Sequence, residues 1–306
     1  MNDPDWASGI DPNQASVARV YDYLLGGAHN FSADRDIART LEAIEPRARA
    51  IAAANRAFLV RAVRYLAAEA GIRQFLDIGS GIPTQGNVHE IVHRVDPAAR
   101  VVYVDRDPVA VAHSTALLGG EPNAAVIQAD LTRPADVLGH PTVRKMIDFD
   151  EPVGLLLVAV LHFVTDEQDP AGILAELTAP LASGSHLAVS HGTHRRETGE
   201  AVAKVYRRAV AQGEPTLRTA EEIGAFFTGF DLVDPGLVHG PLWRPGSPDE
   251  VPDDPSGFWF LAGVARRPCP PPAPPGSRRG VRSLAARRPM RRPWGRRAAA
   301  RRGVSA

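Results

Sequence analysis

Residues 75–81 read Phe-Leu-Asp-Ile-Gly-Ser-Gly, an apolar run that enters a glycine turn directly, with a helix-compatible stretch behind it. Glycines at such a turn let the backbone bend tightly and approach a ligand, and the first N–H groups of the next helix face whatever is bound. The next apolar run, Val101–Val104, ends in Asp105, 24 residues beyond Gly81, where nucleotide-binding sheets place a carboxylate for ribose hydroxyls. A third run ends at Asp130. Three successive strands therefore carry a glycine turn or an acid at their C-terminal ends, the edge where open α/β sheets bind ligands.

The apolar runs recur at Phe75–Ile78, Val101–Val104, Ala125–Ile127, Val153–Val158 and Leu187–Val189, separated by longer helix-compatible stretches. Near-continuous apolar strands alternating with helices predict a parallel sheet covered on both faces. Before it, residues 48–70 place Ile51, Phe58, Leu59, Ala62, Val63 and Leu66 on one helical face, with Gly71 at a capping position. After it, Thr219 and Glu222 form a capping box for a short helix, and FDLVDPG and FWFLAGVAR read as two closing strands. The expected organisation is an N-terminal helical cover over residues 1–71, a doubly wound α/β domain over 72–267, and a tail over 268–306.

That tail splits the charge of the chain. It holds 11 of the 35 basic residues, all arginine, and none of the 35 acids, so the preceding 267 residues carry a net charge of −11. With eight prolines and few large apolar side chains, the tail is expected to be disordered. Its arginines offer a route to nucleic acid, which is otherwise not an expected partner. The single cysteine, Cys269, lies there too, so the body can form no internal disulfide and a cytoplasmic setting is expected. The longest apolar stretch, Val153–Leu161, is short of the ~20 residues that span a bilayer, so no membrane role is expected.

The glycine turn excludes two nucleotide classes. Thr84, preceded by Pro83, occupies the place of the third glycine in a dinucleotide fingerprint, and no Gly-Lys-Ser/Thr occurs for a P-loop. An adenosine ligand without a pyrophosphate remains, and S-adenosylmethionine fits that description. His89-Glu90-Ile91-Val92-His93 matches a zinc-protease pattern, but it falls on the first crossover helix with no third ligand at a familiar spacing, so no metal is expected.

Several long motifs make the chain similar to a known family: ARVYDYLLGGAHNFSADR at 18–35, NRAFLVRAVRYL at 55–66, QFLDIGSGIPTQGNVHE at 74–90, ARVVYVDRDPVAVAHS at 99–114, PVGLLLVAVLHFV at 152–164 and GSHLAVSHGT at 184–193. They resemble the actinobacterial S-adenosylmethionine-dependent methyltransferase family first catalogued as a domain of unknown function. The broader resemblance is to class I methyltransferases. It implies a Rossmann-like, mostly parallel seven-stranded sheet ending in an antiparallel hairpin. It also implies that Asp77, Gly79, Ser80 and Gly81 line the methionine portion of the cofactor, that Asp105 with Arg106 meets the ribose, and that Asp130 with Leu131 borders the adenine.

Pro83 departs from the usual D-x-G-x-G-x-G pattern, so contacts to the methionine carboxylate are expected from the N-terminal element, with Arg19, Tyr21 and Asn30 as candidates. His162, at the end of the fourth strand, is the first candidate for a catalytic base, and His191 after the fifth is the second. The expected function is methyl transfer from S-adenosylmethionine to a small-molecule acceptor. The alternative is a protein that binds the cofactor as a sensor or scaffold without transferring the methyl group.

Overall fold

The five apolar runs form five parallel strands in a computed structural model that describes residues 11–83, 86–194, 196–210 and 214–269. They are β1 (Gln74–Ile78), β2 (Arg100–Asp105), β3 (Ala124–Gln128), β4 (Gly154–Val158) and β5 (His186–Gly192). Among the described residues, three helices precede the sheet: α1 (Val17–Leu24), α2 (Ser32–Ile44) and α3 (Ala48–Ala68). The crossovers carry α4 (Val88–His93), α5 (Pro108–Leu117), α6 (Pro134–Gly139), α7 (Pro141–Met146) and α8 (Pro170–Thr178). After β5 come α9 (Arg196–Ala209), α10 (Ala220–Ala225), two short strands β6 (Asp231–Leu232) and β7 (Val238–His239), and β8 (Phe260–Arg266).

The strand order is β3-β2-β1-β4-β5-β8-β6, with β8 antiparallel to β5. Because side chains alternate across a strand, Leu76, Val102, Leu155 and Leu187 fill one core with α6, α7 and α8, while Phe75, Val101, Leu156 and Ala188 fill the other with α3 and α4. Phe58, Ala62, Val63 and Leu66 of α3 are fully buried in that second core. Burial of each large side chain contributes about 1.5–3 kcal/mol. Gly71 ends the helix segment at φ 72°, the left-handed conformation its capping position requires.

Two features differ from the sequence expectation. The outer position of the closing hairpin is shared by two fragments rather than filled by one strand: β6 and β7 both pair with β8. Pro235 has no N–H to donate and Gly236 turns at φ 87°, so the edge strand breaks between them. The cover, moreover, is not confined to the first 71 residues. Val202, Tyr206 and Val210, from α9 and just beyond it, join Val20, Leu24, Leu41 and Ala52 in a third core.

Between α1 and α2 the Gly26–Gly27 pair makes a tight turn around Asp22. The Asp22 carboxylate accepts from His29 N at 2.9 Å and Asn30 Nδ2 at 2.8 Å, and a Cβ on Gly27 would stand 2.0 Å from Asp22 Oδ1. All the described residues belong to one compact unit. The tail beyond Cys269 and the Thr84 position lie outside the described residues. Among the described residues, no helix is long and apolar enough to cross a membrane.

Candidate active site

A cavity of about 820 Å³ opens at the C-terminal ends of β1, β2, β3, β4 and β5 and extends beneath the cover helices. Asp77, Gly79, Ser80, Gly81, Asp105, Arg106, Asp130, Leu131, His162 and His191 all line it. Residues chosen from five separate segments of the chain thus face one space.

The turn after β1 is built for close approach. Gly79 and Gly81 have φ of 72° and 67°, and a Cβ at Gly79 would stand 2.3 Å from Val160 Cγ2. Gly79 N and Ser80 N both donate to Val104 O, at 2.8 and 3.2 Å, and Gly81 N donates to Asp105 Oδ2 at 2.7 Å. Asp105 also accepts from Asp107 N at 2.9 Å. Burial pushes the Asp105 carboxyl above its ordinary range, and these two N–H groups oppose the shift. On the neighbouring strand end, Asp130 Oδ1 accepts from the N–H and hydroxyl of Thr132, both at 2.8 Å, which fixes its carboxylate at the rim. Leu131 is buried beside it, whereas Arg106 is exposed.

Asp77 is 5% exposed and makes no hydrogen bond to a described residue. Desolvation raises its carboxyl from 3.8 to about 7, with the Arg56 charge pulling the other way. Ser80 Oγ is likewise buried without a partner. Each buried polar atom left this way costs about 1–3 kcal/mol, so the turn is poised for a polar ligand rather than for stability.

His162 sits in the single-turn helix Leu161–Phe163 after β4. Gly192 N approaches its Nδ1 at 3.5 Å, which favours the tautomer with the proton on Nε2, and Nε2 has no partner among the described residues. Burial, with contributions from His191 and Arg218, lowers the His162 pKa well below 6.5. His162 is therefore neutral and a weaker base than a free imidazole.

His191 is held in one tautomer: its Nδ1 donates to Gly192 O at 2.7 Å and its Nε2 accepts from Arg218 at 2.9 Å. Burial, with the Arg218 charge adding, lowers its pKa to about 4. Arg218 is itself buried and donates to Val164 O at 2.9 Å and Asp166 Oδ1 at 2.7 Å. One guanidinium thereby ties β5 to the loop that carries His162.

Of the three N-terminal candidates, only Tyr21 lines the cavity. Arg19 is buried in an ion pair with Asp34 at 2.9 Å, with Asp107 3.7 Å away. Asn30 is engaged with Asp22 and, at 3.0 Å, with Gly27 O. Both hold the cover in place and neither reaches the site.

Sequence reasoning passed over a hydrogen-bonded chain that does reach it. Ser190 Oγ donates to Asn55 Oδ1 at 2.5 Å, Asn55 Nδ2 donates to Tyr21 Oη at 2.9 Å, and Tyr21 donates to Ala52 O at 3.1 Å. The available signal was a polar Asn55-Arg56 pair interrupting the alanines of α3. His89 and His93 turn to other tasks, His89 Nδ1 bonding Tyr103 Oη at 2.8 Å and His93 Nε2 bonding Ala99 O at 2.9 Å. Among the described residues, no group of three or more His, Cys, Asp or Glu could hold a metal ion.

A parallel sheet closed by an antiparallel hairpin, with a glycine turn and two acids over one cavity at its C-terminal edge, is the arrangement of a class I methyltransferase. The S-adenosyl methyltransferase family profile matches residues 4–268, and the chain belongs to that family. A crystal structure of a candidate methyltransferase from Thermobifida fusca is 42% identical, covers 86% of this chain and 98% of its own, and superposes with a TM-score of 0.80. A DUF574-family protein from Streptomyces avermitilis is 40% identical, with coverage of 84% and 99% and a TM-score of 0.81. A search of curated proteins gives no match. The protein is a methyltransferase that uses S-adenosylmethionine. Its unpartnered Asp77 and Ser80, beside a glycine cradle that admits no side chain at Gly79, fit a zwitterionic nucleoside.

Proposed function

We propose that the protein methylates a small, largely apolar acceptor held in the same cavity as the cofactor. The observation that carries this reading is the continuity of one space from the glycine turn to an apolar wall. Leu24, Leu41, Ala52, Val202, Tyr206 and Val210 line that wall under α1, α2, α3 and α9. A volume of about 820 Å³ lies in the range of small-molecule sites, whose walls are mostly apolar with a few placed polar groups.

In this reading Asp105 accepts hydrogen bonds from the ribose hydroxyls, Asp130 and Leu131 border the adenine, and Asp77 faces the amino-acid end. The bound cofactor supplies a methyl group on a sulfonium, an electrophile already activated for in-line displacement. What remains for the chain is positioning and exclusion of water. His162 contributes a neutral N–H that orients the acceptor, and Arg218 holds the His162 loop against β5. The apolar wall strips water from the acceptor as it binds. A role confined to cofactor binding has no support in the family membership.

The test is to incubate the protein with S-adenosylmethionine and matched panels of small aromatic and aliphatic metabolites, unfolded protein and tRNA, measuring S-adenosylhomocysteine release. Turnover with members of the small-molecule panel alone is expected. Methylation of protein or RNA without any small-molecule turnover overturns the proposal.

A further inference from the structure

The turn after β1 spends three of its own donors. Gly79 N and Ser80 N go to Val104 O, Gly81 N goes to Asp105, and Pro83 has no N–H. In a glycine-rich turn these groups would be available to an anion; here three are committed, so a carboxylate arriving here needs a side chain beside the one backbone donor left, Ile82 N.

Arg56 is the cation in position. It projects from the middle of α3, lines both the main cavity and a small recess behind the turn, and makes no hydrogen bond or ion pair to a described residue. Asp77 lines the same two spaces and is equally without a hydrogen-bond partner. A guanidinium and a carboxylate that share a cavity without bonding each other complement a ligand carrying both charges, an α-amino acid group. Opposed fixed charges of this kind recognise an ammonium and a carboxylate by charge-assisted hydrogen bonds, and the planar fork of arginine suits a carboxylate.

We propose that Arg56 anchors the carboxylate of the cofactor's amino-acid end while Asp77 holds its ammonium. The assignment rests on S-adenosylmethionine being the cofactor and is independent of the acceptor. It replaces Arg19 and Asn30, whose polar atoms are committed within the cover. It also accounts for a turn that tolerates Pro83, since the donor lost from the backbone is supplied by α3.

The test pairs a change in the protein with a change in the ligand. S-adenosylhomocysteine and its decarboxylated analogue S-adenosyl-3-thiopropylamine are titrated calorimetrically into the wild-type protein and into Arg56→Gln and Arg56→Lys. Wild type is expected to favour S-adenosylhomocysteine by about tenfold or more, the worth of a charge-assisted hydrogen bond. Arg56→Gln is expected to lose that preference, binding both ligands about as well as wild type binds the amine, and Arg56→Lys to restore part of it.

Retained binding of the amine shows that the variant is folded. Equal losses for both ligands, or an undiminished preference in Arg56→Gln, overturn the proposal. Failure of wild type to bind S-adenosylhomocysteine at all would instead strike at the cofactor assignment, and the proposal would fall with it.

Discussion

The backbone N–H of Gly81 donates to Asp105 Oδ2 at 2.7 Å, joining the turn after β1 to the end of β2. The acid expected to meet the ribose therefore also holds the glycine turn in shape. One oxygen serves Gly81 and the other serves Asp107 N, so the carboxylate is oriented before any ligand arrives. Asp105→Ala is expected to weaken binding of S-adenosylhomocysteine by about 1–3 kcal/mol, the cost of losing hydrogen bonds to a charged group. Asp105→Asn, which keeps one acceptor oxygen, should lose less. Calorimetric titration of folded variants checks both, and unchanged affinity in Asp105→Ala would remove the carboxylate from the ribose site.

Asp77 trades stability for binding. Its pKa of about 7 in the folded protein stands above the 3.8 it has in the unfolded chain, so between these values the folded state binds more protons. Stability of the ligand-free protein is then expected to fall as pH rises from about 4 to about 7, because burial penalises the ionised form. Asp77→Asn should flatten that decline and melt higher than wild type at pH 8, while binding S-adenosylhomocysteine more weakly. Wild-type affinity for the cofactor should climb with pH and level off above about 7, as the carboxylate that meets the ammonium ionises. Melting curves of the two proteins across pH test the claim, and parallel curves would show that Asp77 carries no such penalty.

The parts of this site visible in the sequence are those in which strand, glycine and acid are neighbours along the chain. Gly79, Gly81 and Asp105 could be read because the chemistry sits where each strand ends, and parallel strands end on one edge. The strand β5 was shorter on paper than in the fold, since Ser190 and His191 are polar yet fully buried, their side chains paired with Asn55 and Arg218. No local pattern announces such pairs: 135 residues separate Asn55 from Ser190, and 27 separate His191 from Arg218. The role of α9 in the cover was hidden for a similar reason, its partners lying in α1, α2 and α3. Arg19 misled because nothing along the N-terminal element marks an arginine as enclosed, whereas in the fold Asp34 and Asp107 flank it.

His162 offers a test between orienting and base roles. An orienting N–H can be replaced by the amide of glutamine, which cannot act as a base. His162→Gln is therefore expected to retain most of the turnover, and His162→Ala to lose about tenfold or more, the worth of one hydrogen bond in a dry site. Because burial lowers the His162 pKa well below 6.5, kcat should show no inflection near neutral pH, and any loss from its protonation belongs at much lower pH. Equal loss in the two variants would restore the base role.

Arg218 and Asp166 are bonded at 2.7 Å but should differ sharply in what they contribute. Arg218 is 6% exposed at its side chain and Asp166 is 76% exposed, so the pair is buried at one end only. Arg218→Met leaves His191 Nε2 and Val164 O without their donor inside the protein and removes the cation from above the Phe226 ring, 5.5 Å away. With about 1–3 kcal/mol for each buried acceptor left unpaired, a loss of several kcal/mol is expected. Asp166→Ala removes only a solvated partner and should cost about 1 kcal/mol or less. Urea denaturation of the two variants measures the difference. Since Arg218 also pins the loop from Leu161 to Val164, its loss should lower turnover at saturating cofactor while leaving S-adenosylhomocysteine affinity within about twofold, a change of about 0.4 kcal/mol. Equal destabilisation by the two substitutions would mean that the ion pair, and not the buried acceptors, accounts for the contribution of Arg218.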